Sequence, residues 1–126
     1  MNSSLNGVST DLSRVVIATG NVHKFREFVQ LLDGVFQLIS SVDYDIPSPN
    51  EDGLTFIENA LIKARHTAKA TGLPTLADDS GIVVPALDGA PGIYSARYAG
   101  TDASDADNRE KLLAAMHEVE NRAAYF

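Results

Sequence analysis

The sequence has no cysteine, which excludes a disulfide framework, a thiolate zinc site and a thiol nucleophile. It has no run of 18 apolar residues, which excludes a membrane-spanning apolar helix. The opening stretch MNSSLNGVSTDLSR lacks the apolar core of a signal peptide, so a cytoplasmic location is the expectation. Basic residues are also scarce: 10 against 17 acidic ones, a formal charge of −7. Divided at Lys63, the two halves carry −4 and −3, so there is neither an acidic tail nor a basic face. Nucleic acid as a broad-surface partner is disfavoured, because such binding rests on many Lys/Arg–phosphate contacts. A small phosphorylated ligand needs a local device instead: a helix N-terminus, one or two bases, or a divalent metal.

What is present is a globular balance. The 126 residues are 44% hydrophobic and 21% charged, enough for one domain with a sizeable core. Residues 1–13 are rich in Ser and Asn without periodicity and read as a flexible leader, with residues 14–126 forming the domain proper. Val15-Val16-Ile17-Ala18 reads as a buried strand running into the turn Thr19-Gly20-Asn21. Phe25, Phe28, Val29, Leu31 and Leu32 then recur at helical spacing up to Gly34. The stretch Val35 to Val42 alternates as a second strand does, and Pro47 and Pro49 mark a loop from Ile46 to Gly53.

Thr55 and Glu58 form a T-x-x-E capping signal for the next helix. Leu61, Ile62, Ala64 and Ala68 are its expected packing stripe, and Gly72 and Pro74 close it. Thr75–Ala77 and Ile82–Val84 read as strands on either side of Asp78-Asp79-Ser80-Gly81, before a Gly- and Pro-rich passage. A last helix begins near Ser104 or Asp105, with Leu112, Leu113, Met116 and Val119 expected inward. The order β-α-β-α-β-β-α predicts an α/β fold.

Two places could carry chemistry. Thr19-Gly20-Asn21-Val22-His23-Lys24 lies where a strand hands over to a helix. There, unpaired helix N–H groups, a glycine and a lysine could cradle a phosphate. An Asn N-cap on an ordinary βα turn is the other reading. The motif is neither a Walker loop nor a Rossmann fingerprint. In the second place, Asp78 and Asp79 cannot both be buried without a cation. They suit Mg²⁺, which takes one or two carboxylates plus substrate phosphates. An Asx-turn in Asp-Asp-Ser-Gly is the competing reading. Glu51, in the proline-bounded loop, is the candidate second carboxylate.

Lys63, four residues after Asn59 on one helix face, reads as solvated, with phosphate neutralisation its other use. His23, His66 and His117 lack metal-ligand spacing. Ser80 has no G-x-S-x-G setting. Arg97 suits a ligand or a partner subunit equally.

Taken together, T-G-N-x-x-K, then G-L-T-F-I-E-N-A-L-I-K-A-R, then L-A-D-D-S-G-I-V-V-P-A-L-D-G-A-P-G-I-Y-S-A-R-Y-A-G resemble the inosine triphosphatase (Ham1-like) family. These are purine nucleoside triphosphate pyrophosphatases that act on deaminated purines, and the resemblance runs from about Val15 to the C-terminus. It implies a two-lobed α/β fold around a mixed central sheet flanked by helices, usually a homodimer. It implies Mg²⁺-dependent hydrolysis of ITP, dITP and XTP to the monophosphate and pyrophosphate, clearing them from the nucleotide pool. By matching position, Thr19, Gly20, Asn21, Val22, His23 and Lys24 are implied as the phosphate-binding turn. Glu51 and Asp79 are implied as metal ligands, Asp79 also as the base for the attacking water, Ser80 as a substrate contact and Asp78 as a supporting carboxylate.

One departure stands out. Family members continue past this point with a Phe-Gly-Tyr-Asp-like segment, a further Lys and a Ser-His-Arg-like motif that hold the base and more phosphate oxygens. Arg122-Ala123-Ala124-Tyr125-Phe126 resembles the start of a strand, so the expectation is the N-terminal portion of a larger domain. The alternative to a working enzyme is a nucleotide- and metal-binding fragment, or a structural subunit, without base recognition.

Overall fold

Val15, Val16, Ile17 and Ala18 are all buried in the computed structural model, which describes residues 12–126. The leader expected over residues 1–13 therefore falls almost wholly outside the described residues. Arg14–Ile17 form strand β1 at the centre of a three-stranded sheet. A central strand covered on both faces reads as an unbroken apolar run, as this one does. Val16 and Ile17 have no exposed surface, and each such side chain contributes about 1.5–3 kcal/mol by leaving water.

The chain divides into two compact units, Met1–Gly53 with Ile57–Asp78, and Leu54–Phe56 with Asp79–Phe126. The first holds the sheet. After β1 come helix α1 (Val22–Leu32) and strand β2 (Gln37–Ser40), then a 3₁₀ turn, Ser41–Tyr44. Helix α2 (Phe56–Thr71) and the short strand β3 (Thr75–Leu76) come after the proline-bounded loop. β1 pairs parallel with β2, Val15 opposite Leu38, and with β3, Val16 opposite Thr75. Parallel neighbours need crossover connections, which α1 and α2 supply. The α/β class expected from the element order is thus present, with every named strand parallel.

In the second unit, 3₁₀ turns at Pro85–Leu87 and Gly92–Arg97 precede helix α3 (Asp105–Ala115). Val84, Pro91 and Met116 are its buried apolar positions.

Several sequence expectations need correction. The strand foreseen over Val35–Val42 is only Gln37–Ser40. The Ser40 hydroxyl accepts from the Val42 amide and turns the chain into 3₁₀ geometry. The strand foreseen at Ile82–Val84 is a single bridge point: Val83 pairs antiparallel with Pro91 and with Tyr125. Pro91 has no N–H to donate and Pro85 lies close behind, so no ladder extends.

The apolar stripe expected on α2 is not its buried face. Leu61 is 43% exposed, whereas Asn59 and Thr67 are buried. Leu113 on α3 is exposed, and Val119 lies beyond the helix end. The terminal run does pair: Val83 and Tyr125 exchange both backbone hydrogen bonds, at 2.7 and 3.0 Å.

Candidate functional site

The parallel sheet fixes where chemistry can gather in the first unit. With strand order β2-β1-β3, the chain leaves β1 toward one side and returns on the other. Ligands in open α/β sheets bind at such a reversal, outside the carboxyl ends of the strands. β1 ends into the Thr19–Lys24 turn, and β3 ends into Ala77-Asp78.

The turn is ordered by its own side chains. Thr19 is buried, and its hydroxyl accepts from the Asn21 amide at 3.1 Å. Asn21 is the N-cap of α1, its Oδ1 accepting from the amides of His23 and Lys24 at 2.9 and 3.2 Å. The N-cap reading of Asn21 is therefore realised. Gly20 is exposed, and a Cβ there would meet nothing within 4 Å, so its backbone is open to approach. Val22 and His23 lie exposed on the first turn, and Lys24 supplies the full charge.

That charge has a partner. Lys24 Nζ lies 3.0 Å from Asp78 Oδ2, both side chains about a quarter to a third exposed. The ion pair joins the turn after β1 to the end of β3, across the reversal point. Asp78 Oδ1 is buried and has no hydrogen-bond partner among the described residues. A carboxylate oxygen so placed is costly unless a cation or donor reaches it.

A second ion pair lies in the same unit. Glu51, half-buried in the loop before α2, has its Oε1 at 3.5 Å from Lys63 Nζ. Only 17% of the Lys63 side chain is exposed, so Lys63 is not the solvated lysine its helical position suggested. One turn earlier, Asn59 Oδ1 accepts from the Gly53 amide at 2.8 Å. The sequence reading missed both Asn59 and Gly53. Their signal was the Asn59–Lys63 spacing of four on a helix preceded by a Gly-containing loop.

Asp79 and Ser80 belong to the second unit, the boundary falling between the two aspartates. Asp79 is half-buried and Ser80 exposed, in a segment without regular structure. The residues after Ser80 are tightly fixed. Gly81 is buried against Ser95 and the Gly92 carbonyl, leaving no room for a side chain. The Ser95 hydroxyl donates to the Gly92 carbonyl at 2.6 Å and accepts from the Ile82 amide at 3.0 Å.

In the first unit Glu51 and Asp78 offer hard oxygen donors, the kind Mg²⁺ takes, and in the second Asp79 offers the same. No group of three or more His, Cys, Asp or Glu is assembled for a metal among the described residues. A Mg²⁺ that keeps several waters and binds substrate phosphates needs only one or two protein carboxylates. The donor chemistry, with the buried Asp78 oxygen, fits that ion. His66 is not part of it: its Nε2 lies 2.7 Å from the Pro47 carbonyl. Arg97 stacks over the Tyr94 ring, 5.2 Å from its centroid. No helix among the described residues is long and apolar enough to cross a membrane.

The chain is 57% identical over 118 residues to a dITP/XTP pyrophosphatase of Yersinia pseudotuberculosis, covering 91% of this chain and 60% of the relative. It is 55% identical over 109 residues to a dITP/XTP pyrophosphatase of Escherichia coli, covering 86% and 55%. A solved HAM1 protein of Coxiella burnetii superimposes with a TM-score of 0.78 at 45% identity, covering 90% of this chain and 59% of that one. The chain thus spans about 60% of the length of curated relatives it matches. The sequence model of the Ham1 family matches residues 15–126, from β1 through the Thr19–Lys24 turn, both ion pairs and the aspartate pair, and on this match the chain belongs to the Ham1 family.

Proposed function

We propose that this chain carries the phosphate- and metal-binding part of a nucleoside triphosphate pyrophosphatase. The reaction is Mg²⁺-dependent hydrolysis of ITP, dITP and XTP to the monophosphate and pyrophosphate. The observation that carries the reading is the meeting of Lys24 and Asp78 at 3.0 Å, where the carboxyl ends of β1 and β3 adjoin. It sets a cation beside a carboxylate with a buried open oxygen at the strand-order reversal, where open α/β sheets take ligands. The relatives named dITP/XTP pyrophosphatase supply the substrate class.

In this reading Lys24, with the backbone of Thr19–Lys24, holds phosphate oxygens, and Ser80 touches the substrate. Glu51 and Asp79 would hold Mg²⁺, supported by Asp78. When bound, the ion neutralises phosphate charge and polarises the reacting phosphorus. Asp79 orients the attacking water and takes its proton. The water oxygen bonds to the α-phosphorus as the bond to the bridging oxygen breaks, and pyrophosphate leaves with that electron pair. Such a transfer calls for positioning and charge stabilisation rather than a covalent nucleophile. The absence of cysteine accords with this. A homodimer working in the cytoplasm belongs to the same reading and rests on the family resemblance alone.

The test is pyrophosphate release from ITP and XTP with Mg²⁺. Asp79→Asn is expected to lower kcat by about 10²–10⁴-fold, the usual contribution of a general base. Undiminished release by that variant removes Asp79 from the role. The alternative reading is nucleotide and metal binding without base recognition. Calorimetric titration separates the two, since that reading gives equal affinity for ITP and ATP and no turnover.

A further inference from the structure

We propose that Asn59 is a positioning residue for Glu51, acting through the Gly53 amide, a role that rests on reading Glu51 as a metal ligand. The loop from Ile46 to Gly53 contains Pro47 and Pro49 and no regular secondary structure. Its own backbone therefore gives Glu51 no fixed frame. The frame comes from α2, along which the loop is strapped in the opposite direction. Pro47 is held by His66 at 2.7 Å, Glu51 by Lys63 at 3.5 Å and Gly53 by Asn59 at 2.8 Å. Positions 59, 63 and 66 share one helix face, being spaced by four and three residues.

The three clasps are unequal. Lys63 holds through a long flexible ammonium, at a distance beyond hydrogen-bond length. Asn59 has no exposed surface and a short side chain, and it binds backbone rather than side chain. Gly53 is fitted to it: a Cβ on Gly53 would lie 2.7 Å from Asn59 Oδ1 and 2.7 Å from Glu58 Cβ. The glycine is needed for this close approach, and the approach lets its amide reach Oδ1. Glu51 stands two residues from that anchor, so its carboxylate inherits the anchor's precision. Partners that orient metal ligands typically account for 10–100-fold in metal affinity.

The experiment is titration of the protein with Mn²⁺, followed by electron paramagnetic resonance, with ITP present. Asn59→Ala is expected to weaken Mn²⁺ binding by about 10–100-fold, with a much smaller loss of kcat at saturating Mg²⁺. Asn59→Asp, which keeps an acceptor for the Gly53 amide, recovers most of the affinity. In a Glu51→Gln background, Asn59→Ala adds no further loss, the signature of two residues acting through one point.

Should Asn59→Ala fail to fold, Gly53→Ala tests the same anchor from the loop side and is expected to weaken Mn²⁺ binding likewise. The proposal is overturned if Glu51→Gln weakens Mn²⁺ binding while folded Asn59→Ala and Gly53→Ala bind as the parent does. It falls with the metal-ligand reading itself if Glu51→Gln leaves Mn²⁺ affinity unchanged. The two failures differ in which variant is silent.

Discussion

Lys24 and Asp78 lie 54 positions apart in sequence and 3.0 Å apart in space, and each explains the other's setting. Asp78 Oδ1 is buried without a hydrogen bond among the described residues, so Lys24 is the cation that keeps this carboxylate tolerable. Removing Lys24 leaves a charge with one buried oxygen. Removing the Asp78 charge leaves a lysine that can swing to solvent. Lys24→Ala is therefore expected to cost more stability than Asp78→Asn. A double-mutant cycle in urea should give a coupling of about 1 kcal/mol, modest because both groups are partly solvated. A coupling indistinguishable from zero would show that the pair does not hold the two strand ends together. This pairing was only half legible: each residue stood out in its motif, but nothing local says that β3 lies beside β1.

The elements show why some readings carried over and others did not. β1 and α1 were legible because their signals are local: a β-branched run, then an Asn that caps the helix it opens. The start of α2 just after Thr55 is legible from its capping signal, but its inward face is not. Apolar periodicity identifies the buried face when the helix packs on a core. α2 instead buries Asn59 and Thr67 and holds Lys63 mostly covered, because what lies against that face is a polar loop. Its partners, Gly53 and Glu51, are set by loop conformation, which carries no period. Ile82–Val84 failed for the opposite reason: its apolar run is strand-like, but the prolines beside it remove the donors a ladder needs.

The N-terminus of α3 is the element whose stability can be read directly. Ser104 caps it, its hydroxyl accepting from the Asp107 amide at 3.1 Å, while Asp107 Oδ2 accepts from the Ser104 amide at 3.0 Å. Hydrogen bonding to the Asp107 carboxyl, from the Ser104 backbone first and its side chain second, holds it below its ordinary pKa. A depressed carboxyl contributes stability above its unfolded value and loses it as pH falls through the folded one. Ser104→Ala should cost about 1 kcal/mol at neutral pH. The gap between parent and Asp107→Asn should narrow in acid, as chemical denaturation across pH will show. A gap that widens on acidification would contradict the assignment.

At the scale of the whole molecule the question is how a chain of charge −7 would take the polyanionic ligand proposed for it. Acidity spread over both halves repels a triphosphate at long range. The two lysines of the first unit's site offer no surplus, since Lys24 faces Asp78 and Lys63 faces Glu51. Cation and carboxylate cancel in each pair before the substrate arrives. The helix N-terminus is also partly occupied, because Asn21 already accepts from the amides of His23 and Lys24. Favourable binding of a triphosphate then draws on positive charge beyond these two pairs, and in the proposed function a divalent ion is one source of it. The expected outcome is steep: calorimetric affinity for ITP should fall by at least about tenfold, some 1.4 kcal/mol, when EDTA replaces Mg²⁺. Lys24→Gln should weaken the remaining binding further, as loss of a positive charge from an acidic surface must. If ITP binds equally well in EDTA, the lysines must part from their carboxylates on binding, and Glu51 and Asp78 would then serve as counter-ions rather than as part of a metal site.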